Sequence, residues 1–240
     1  MNKQDQKRRA FLLQLLGSGV LTAGMSALPA AVRAMGRVPG KMLVGKSIYK
    51  LHGSVVVDGK KATVDTAITP NSIIKTGSNS KVIFAVGKDA FILRSNSKLE
   101  IGGGETIIKS LRLVTGKLLS VFGRREKNQS LRVGTTVATI GIRGTGLYVE
   151  AQKTRSYVCT CYGKADIAAI NDSLSKETVT TRHHDSPRYI YANAKAGAAI
   201  EPAPVINHTD EELELIETLV GRSVPFAFDG GYESSRSTDY

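Results

Sequence analysis

Residues 81–101, KVIFAVGKDAFILRSNSKLEI, decide the fold class of this chain of 240 residues. Two apolar runs, at 82–86 and 90–93, lie on either side of the turn-forming residues 87–89, and a second turn follows at 95–96. Short apolar runs with alternating exposure, separated by tight turns, are typical of antiparallel strands. This stretch therefore predicts a β-hairpin followed by a further strand.

The same spacing continues on both sides, from about residue 44 to 182. Residues 55–57 are valines, and the Asp58-Gly59 pair after them is the preferred two-residue hairpin turn. No helical period separates the runs, which disfavours a parallel α/β sheet with crossover helices. We predict an all-β fold, a sandwich, barrel or solenoid, with further strands at 73–76, 98–101, 106–114, 117–122, 130–133, 137–140, 146–151, 155–161 and 165–170.

One helix is predicted, over 209–220. Thr209 and Glu212 have the spacing of a capping box, in which the hydroxyl accepts from the amide three residues on. Leucine, isoleucine and valine follow at helical spacing, and Gly221 stands where a C-terminal cap belongs. We expect this helix to pack across the β domain, with a partner-binding helix as the alternative. The polar stretch 229–240 is predicted to be a disordered tail.

Three motifs in the β region resemble those of a known family. They are residues 53–55 (GSV), 76–80 (TGSNS) and 141–148 (GIRGTGLY). The pattern is similar to that of the FecR domain, a periplasmic module first associated with iron-uptake signalling. The resemblance implies a twisted, solenoid-like or sandwich-like β domain over 44–160, followed by a C-terminal extension over 161–228. The motif residues to which it assigns a structural role are Thr76, Gly77, Ser80, Gly141, Arg143, Gly144 and Thr145.

The resemblance also implies a binding or signalling role in the cell envelope, but not the full regulatory function. An anti-sigma regulator of this family carries a cytoplasmic domain before its membrane span, whereas a signal peptide is expected here. The glycines of 141–146 predict a tight turn, with Arg143 pairing with a nearby carboxylate or carbonyl. No helix follows these glycines, which disfavours a phosphate-binding loop.

The N-terminus has the layout of an export signal. Residues 7–12 read KRRAFL, and a weakly apolar run from Phe11 to Ala31 follows. The paired arginines resemble a twin-arginine signal, and Arg33 after the apolar run disfavours the ordinary secretory route. We predict a signal peptide over 1–34, cleaved after Ala31 or Ala34, and a periplasmic location in a Gram-negative envelope. A retained membrane anchor is the alternative.

Composition narrows the class of partner. The chain has 33 Lys+Arg against 21 Asp+Glu, a net charge of +12, but no helix-turn-helix, zinc-finger or RNA-binding signature accompanies the excess. We therefore predict no nucleic-acid partner. A basic surface suits solvent or anionic envelope material, so the expected partner is an envelope protein or another envelope component.

Two cysteines and three histidines predict a metal site. Cys159 and Cys161 are two residues apart, so on a strand both sulfurs project to the same side. His183, His184 and His208 follow them, and two cysteines with two histidines suit tetrahedral zinc, with iron or haem as alternatives. Neighbouring histidines on an extended segment point opposite ways, so one of the adjacent pair is expected to bind.

Other interpretations of these residues stay open at this stage. The cysteines could form a strained or redox-active disulfide, or be small core residues. Cys159 with His184 as base could be a nucleophile, but no paired carboxylate or triad supports catalysis, so the chain is predicted not to be an enzyme. Asp166 and Asp185 are candidates for orienting the imidazoles. The loop at 124–127 (RREK) is expected to be solvated, with an anionic contact site as the alternative.

Overall fold

The structure is a computed structural model, which describes residues 40–104, 107–126 and 129–226. The chain divides into two units, and the description below concerns the unit Pro39–Tyr240. The predicted signal peptide at 1–34 and the predicted tail at 229–240 lie outside the described residues. Among the described residues, no helix is both long and apolar enough to cross a membrane.

The described part of the chain is built from strands and one helix. In chain order the elements are β1 (Ile48–His52), β2 (Val55–Val57), β3 (Lys60–Lys61), β4 (Ile73–Thr76), β5 (Lys81–Val86), β6 (Asp89–Leu93), β7 (Lys98–Gly103), β8 (Ile108–Val121), β9 (Leu131–Gly134), β10 (Ala138–Ala151), β11 (Arg155–Ala169), β12 (Lys176–Thr181), β13 (Arg188–Tyr191), β14 (Ile200–Pro202) and α1 (Asp210–Leu219). The predicted all-β class with one helix is confirmed.

The strands form one mixed sheet. Its main path is β14-β13-β11-β10-β9-β8-β7-β4-β2-β3, with β12 paired to β11 and the β1-β5-β6 branch attached to β8. The β8–β9 pairing is parallel, and the other pairings among the described strands are antiparallel. The predicted hairpin is β5–β6, in which Phe84 lies opposite Phe91.

Three long strands replace pairs of shorter predicted strands. β8 continues through Gly116, β10 through residues 141–146 and β11 through Gly163. At each of these places a glycine adopts a positive φ, +95° at Gly116, +59° at Gly144 and +90° at Gly163. Such a residue bends a strand without reversing it, and this bend lets a long strand change its partner along its length.

The predicted tight turn at residues 141–146 is therefore wrong. The register of β10 shifts between Arg143 and Gly146, which marks a β-bulge, and there β10 passes from β9 to β8. A Cβ on Gly146 would lie 2.4 Å from the Tyr162 ring, so this position requires glycine. Arg143 Nε lies 3.6 Å from Asp166 Oδ2, the type of carboxylate partner that we expected.

The motif at residues 76–80 ties neighbouring turns together. The Thr76 hydroxyl accepts from the amide of Ser97 at 2.9 Å, and the amide of Gly77 donates to the Ser54 carbonyl at 2.9 Å. The Ser80 hydroxyl accepts from the amide of Ser54 at 2.9 Å. These side chains satisfy backbone groups at strand ends, a structural role.

The side chains pack into two apolar clusters. Because side chains alternate along a strand, Phe84 lies in the larger cluster and its neighbour Ile83 in the smaller one. The larger cluster is enclosed by the strands of the sheet. Helix α1 covers the smaller cluster with Leu213, Ile216 and Leu219, all buried. The predicted packing of the helix across the β domain is thus what the structure shows, and it leaves the smaller cluster between helix and sheet.

Both helix caps agree with the sequence. The Thr209 side chain accepts from the amide of Glu212, and Gly221, just after the helix, has a φ of +75°. The Glu212 carboxylate pairs with Arg94 Nη2 on the sheet at 2.6 Å. The helix start is therefore held to the sheet by an ion pair as well as by apolar contacts.

Candidate metal centre

Strand β11 carries the two cysteines to the face that α1 covers. Cys159 and Cys161 are fully buried in the smaller cluster, whereas Val158 points into the larger one. Both cysteines are free thiols. The expectation that both sulfurs project to one side of a strand agrees with this placement.

His184 approaches the sulfurs from the turn after β12. Its amide donates to the Cys161 carbonyl at 2.9 Å, and its φ of +52° is a left-handed conformation that turns the chain back toward β11. The side chain is 5% exposed, and its Nδ1 lies 3.4 Å from Cys159 Sγ.

His208 completes the group from the residue before the N-cap of α1. Its Nε2 lies 3.0 Å from His184 Nδ1, and its ring stacks on Tyr148 with centroids 4.5 Å apart. The ligand atoms of the four buried residues all lie within 4.8 Å of one another. The structure thus brings together Cys159, Cys161, His184 and His208.

The outer nitrogen of each imidazole already has an acceptor. His184 Nε2 lies 3.0 Å from Asp210 Oδ1, and His208 Nδ1 lies 2.6 Å from the Ile206 carbonyl oxygen. Because a backbone carbonyl and a carboxylate accept hydrogen bonds, the nitrogen of each ring that faces them is the donor. The other two nitrogens, His184 Nδ1 and His208 Nε2, face each other at 3.0 Å, an arrangement that a shared proton or a cation stabilises.

Two of the six distances between the ligand atoms can be compared with those of a tetrahedral zinc site. Zn–S bonds of about 2.3 Å and Zn–N bonds of about 2.0–2.1 Å imply S···N edges of about 3.6 Å and N···N edges of about 3.3 Å. The corresponding distances here are 3.4 Å between Cys159 Sγ and His184 Nδ1 and 3.0 Å between the two imidazoles. The donor set of two sulfurs and two nitrogens is one that zinc prefers.

The surroundings of the two thiols shift their pKa values in opposite directions. The hydrogen bond with Cys161, followed by those with His184 and His208, holds the pKa of Cys159 well below its usual range against the effect of burial. Burial raises the pKa of Cys161 well above its usual range, and the bond with Cys159 adds to this rise. Burial lowers the pKa of His184, but its contacts with Cys159 and Asp210 outweigh burial and raise it. The pair therefore favours one thiolate in the fold, the form that binds metal.

His183 lies beside this group and does not join the sulfurs. Its Nε2 is 2.8 Å from Asp210 Oδ2, and its ring stacks on Phe226 with centroids 4.2 Å apart. With His184 and Asp210 it forms a second, partly buried set of close ligand atoms. Of the two adjacent histidines, the structure places His184 with the thiols.

Asp210, which contacts the rings of His183 and His184, was not predicted from the sequence as a site residue. The feature of the sequence that could have indicated it is its position two residues after His208, at the start of a predicted helix. The expectation that Asp166 and Asp185 orient the imidazoles is wrong. Asp166 accepts from the Thr178 hydroxyl at 2.7 Å, and Asp185 accepts from the amide of Arg182 at 2.9 Å.

Comparison with known proteins gives little information about the function of this chain. No protein-family model and no curated protein matches the chain. Two crystal structures of a proposed anti-sigma factor from Parabacteroides distasonis ATCC 8503, at 1.65 and 2.50 Å resolution, are similar at a TM-score of 0.44 and 11% identity. The match covers 55% of this chain and 58% of that one. The chain thus spans less than two thirds of their length, and a likeness of this strength carries no argument about function.

Proposed function

We propose that this chain is a non-enzymatic binding or signalling module of the bacterial cell envelope, whose helix α1 is fastened to the sheet by a structural zinc ion. Cys159, Cys161, His184 and His208 would hold the ion. The observation that carries the proposal is that four buried ligand atoms lie within 4.8 Å of one another, with the outer nitrogen of each imidazole already bonded.

Burial and ligand number favour a structural ion over a catalytic one. Four protein ligands complete a tetrahedron, whereas catalytic zinc keeps one position for water or substrate. Each of the four residues is at most 8% exposed, so a substrate would not reach the metal or the thiols. The same burial argues against the thiol-dependent enzyme considered from the sequence.

The identity of the metal also bears on the role. Iron is the alternative ion for this donor set, and a weakly held iron would favour a metal-responsive sensor. Haem suits the geometry less well, because its two axial ligands approach from opposite sides of a flat macrocycle. Here His184 Nδ1 and His208 Nε2 are only 3.0 Å apart and both thiols lie beside them.

The envelope location and the binding role rest on the sequence. The twin-arginine pattern at residues 7–12 supports export, and the motifs similar to the FecR domain support a module that binds an envelope protein or another envelope component. The twin-arginine route carries proteins that are already folded. A zinc-fastened fold suits that route, because the ion can be inserted before export.

Elemental analysis tests the proposal directly. The full chain, purified without added metal, should carry about one zinc per molecule, and the Cys159→Ser, Cys161→Ser double variant should carry none and melt at a lower temperature. His208→Asn should also lose the metal. His52→Asn, a change at an exposed histidine elsewhere, is the matched control and should keep it. A metal-free parent that melts like the double variant would disprove the metal site.

A further inference from the structure

A large cavity lies next to the proposed metal centre without including its ligands. Its volume is about 1280 Å³, and it lies between the loop after β8, the bulge of β10 and the segment that follows α1. Small-molecule sites usually measure about 300–1,000 Å³. The cavity is therefore large enough for an organic ligand of considerable size.

The lining of this cavity is strongly basic. It contains five arginines and two glutamates, a formal excess of three positive charges. Two of the arginines are already neutralised by carboxylates: Arg125 pairs with Asp89 at 2.5 Å, and Arg222 pairs with Glu217 at 2.5 Å. These pairs form a fixed part of the wall.

The other three arginines are exposed at the cavity. Arg124 and Arg182 form no ion pair with any described residue, and Arg143 is 70% exposed and lies 3.6 Å from Asp166, itself 43% exposed. An exposed pair of this kind is weak in water. Three guanidinium groups are thus available, and each suits a bidentate contact with a carboxylate or phosphate.

Part of the cavity lining is apolar. Phe122, Ile142 and Tyr162 are each less than 8% exposed, and Pro225 and Phe226 continue this wall. Sites for organic ligands typically combine apolar walls with a few polar groups that fix orientation. Basic and apolar walls together select a ligand with an apolar body and anionic groups.

We propose that this cavity binds a small organic anion, with an aromatic or other apolar body packed against the apolar part of the lining and carboxylate or phosphate groups held by Arg124, Arg143 and Arg182. The inference rests on the proposed role as a binding module but not on the metal. For the loop at 124–127 it favours the alternative given above, a contact site for anions, over a merely solvated loop.

The cavity shares two chain segments with the metal centre. Tyr162 directly follows Cys161 on β11, and Arg182 begins the turn that carries His184. A ligand in the cavity would therefore contact residues beside two of the proposed metal ligands. The proposed ligand site therefore lies next to the proposed ion that holds α1 to the sheet.

Titration calorimetry on the full chain tests the proposal with two probes, 1-naphthyl phosphate and naphthalene-2,6-dicarboxylate. At least one probe should bind, and the one that binds more tightly indicates whether the site prefers phosphate or carboxylate. The Arg124→Gln, Arg182→Gln double variant should bind it at least about tenfold more weakly, since two charge-assisted contacts are lost. Inorganic phosphate should bind more weakly than naphthyl phosphate, because it cannot use the apolar wall.

The matched control is the Arg112→Gln, Arg132→Gln double variant. It removes the same charge from two exposed arginines outside the cavity and should bind within about twofold of the parent. Binding of neither probe, or an equal loss in both double variants, would overturn the proposal. Zinc content measured in the same samples distinguishes failure of the two proposals. Metal without probe binding would reject only the proposed ligand site. Probe binding without metal would reject only the proposed metal site.

Discussion

At the scale of single residues, substitution of each of the two adjacent histidines tests which of them belongs to the proposed metal centre. His184→Asn should abolish zinc binding, because its Nδ1 lies 3.4 Å from Cys159 Sγ and 3.0 Å from His208 Nε2. His183→Asn should keep about one zinc per chain, since its ring contacts Asp210 and Phe226 and not the thiols. Elemental analysis of both variants checks this, and metal loss from His183→Asn alone would contradict it.

Asp210, the carboxylate that contacts the proposed ligand His184, gives a second residue-scale prediction. Asp210→Ala should weaken zinc binding by about 10–100-fold, as is typical when the acceptor behind a metal-bound histidine is removed. Glu211→Ala is the control, because it removes another acidic residue from the same first helical turn without touching either imidazole. Competition with a zinc chelator measures both affinities. Equal weakening by both changes would assign the effect to the helix terminus instead.

Only part of the site could be predicted from the sequence. The thiols of Cys159 and Cys161 lie together because strand periodicity is local and can be seen in the residues themselves. The choice of His184 over His183 depends on a left-handed residue in a turn, and turn geometry is not fixed by spacing. Asp210 was missed as an orienting group because its proximity arises from the docking of α1 on the sheet.

At the scale of elements, metal removal should loosen α1 more than the sheet. His208 lies directly before the helix, whereas Cys159 and Cys161 belong to a central strand. Chelation should therefore speed amide hydrogen exchange in α1 while leaving β5 and β6 nearly unchanged. The apolar contacts of Leu213 and Ile216 and the Arg94–Glu212 pair should keep exchange below that of an unfolded segment.

The matched control for this experiment is the His52→Asn variant, whose helix exchange should rise on chelation as it does in the parent. The Cys159→Ser, Cys161→Ser variant should show fast exchange in α1 with or without chelator. If chelation changed exchange equally in α1 and β5, the ion would be stabilising the whole fold and not fastening one element.

The long strands show where element prediction failed. Residues 82–93 were predicted as a hairpin because apolar alternation and a turn coincide there, and β5–β6 is that hairpin. Glycines at 116 and at 141–146 look the same in sequence, but here they bend β8 and β10 and let each strand continue to a new partner. Which outcome follows depends on non-local contacts such as the Tyr162 ring over Gly146.

At the scale of the whole molecule, stability should depend on free zinc by mass action. Above the dissociation constant, each tenfold rise in free zinc should add about 1.4 kcal/mol to the free energy of unfolding. Phe91→Ala, in the larger cluster away from the site, should lower that free energy by about 3–5 kcal/mol without changing the zinc slope. Urea unfolding in zinc-buffered solutions measures both. A parent with no zinc slope would contradict the structural ion.

Export is the property that links the fold to its proposed place in the cell. If the chain acquires zinc and folds in the cytoplasm, a route that threads unfolded chains would strip the ion from Cys159, Cys161 and both histidines. The twin-arginine route avoids this, and its signal is read by a receptor at the paired arginines. The Arg8→Lys, Arg9→Lys variant should therefore accumulate in the cytoplasm as folded, zinc-loaded protein, whereas Lys3→Arg should be exported normally. Cell fractionation with zinc analysis of each fraction measures this, and export of the twin-lysine variant at the parental level would mean that another route carries the chain.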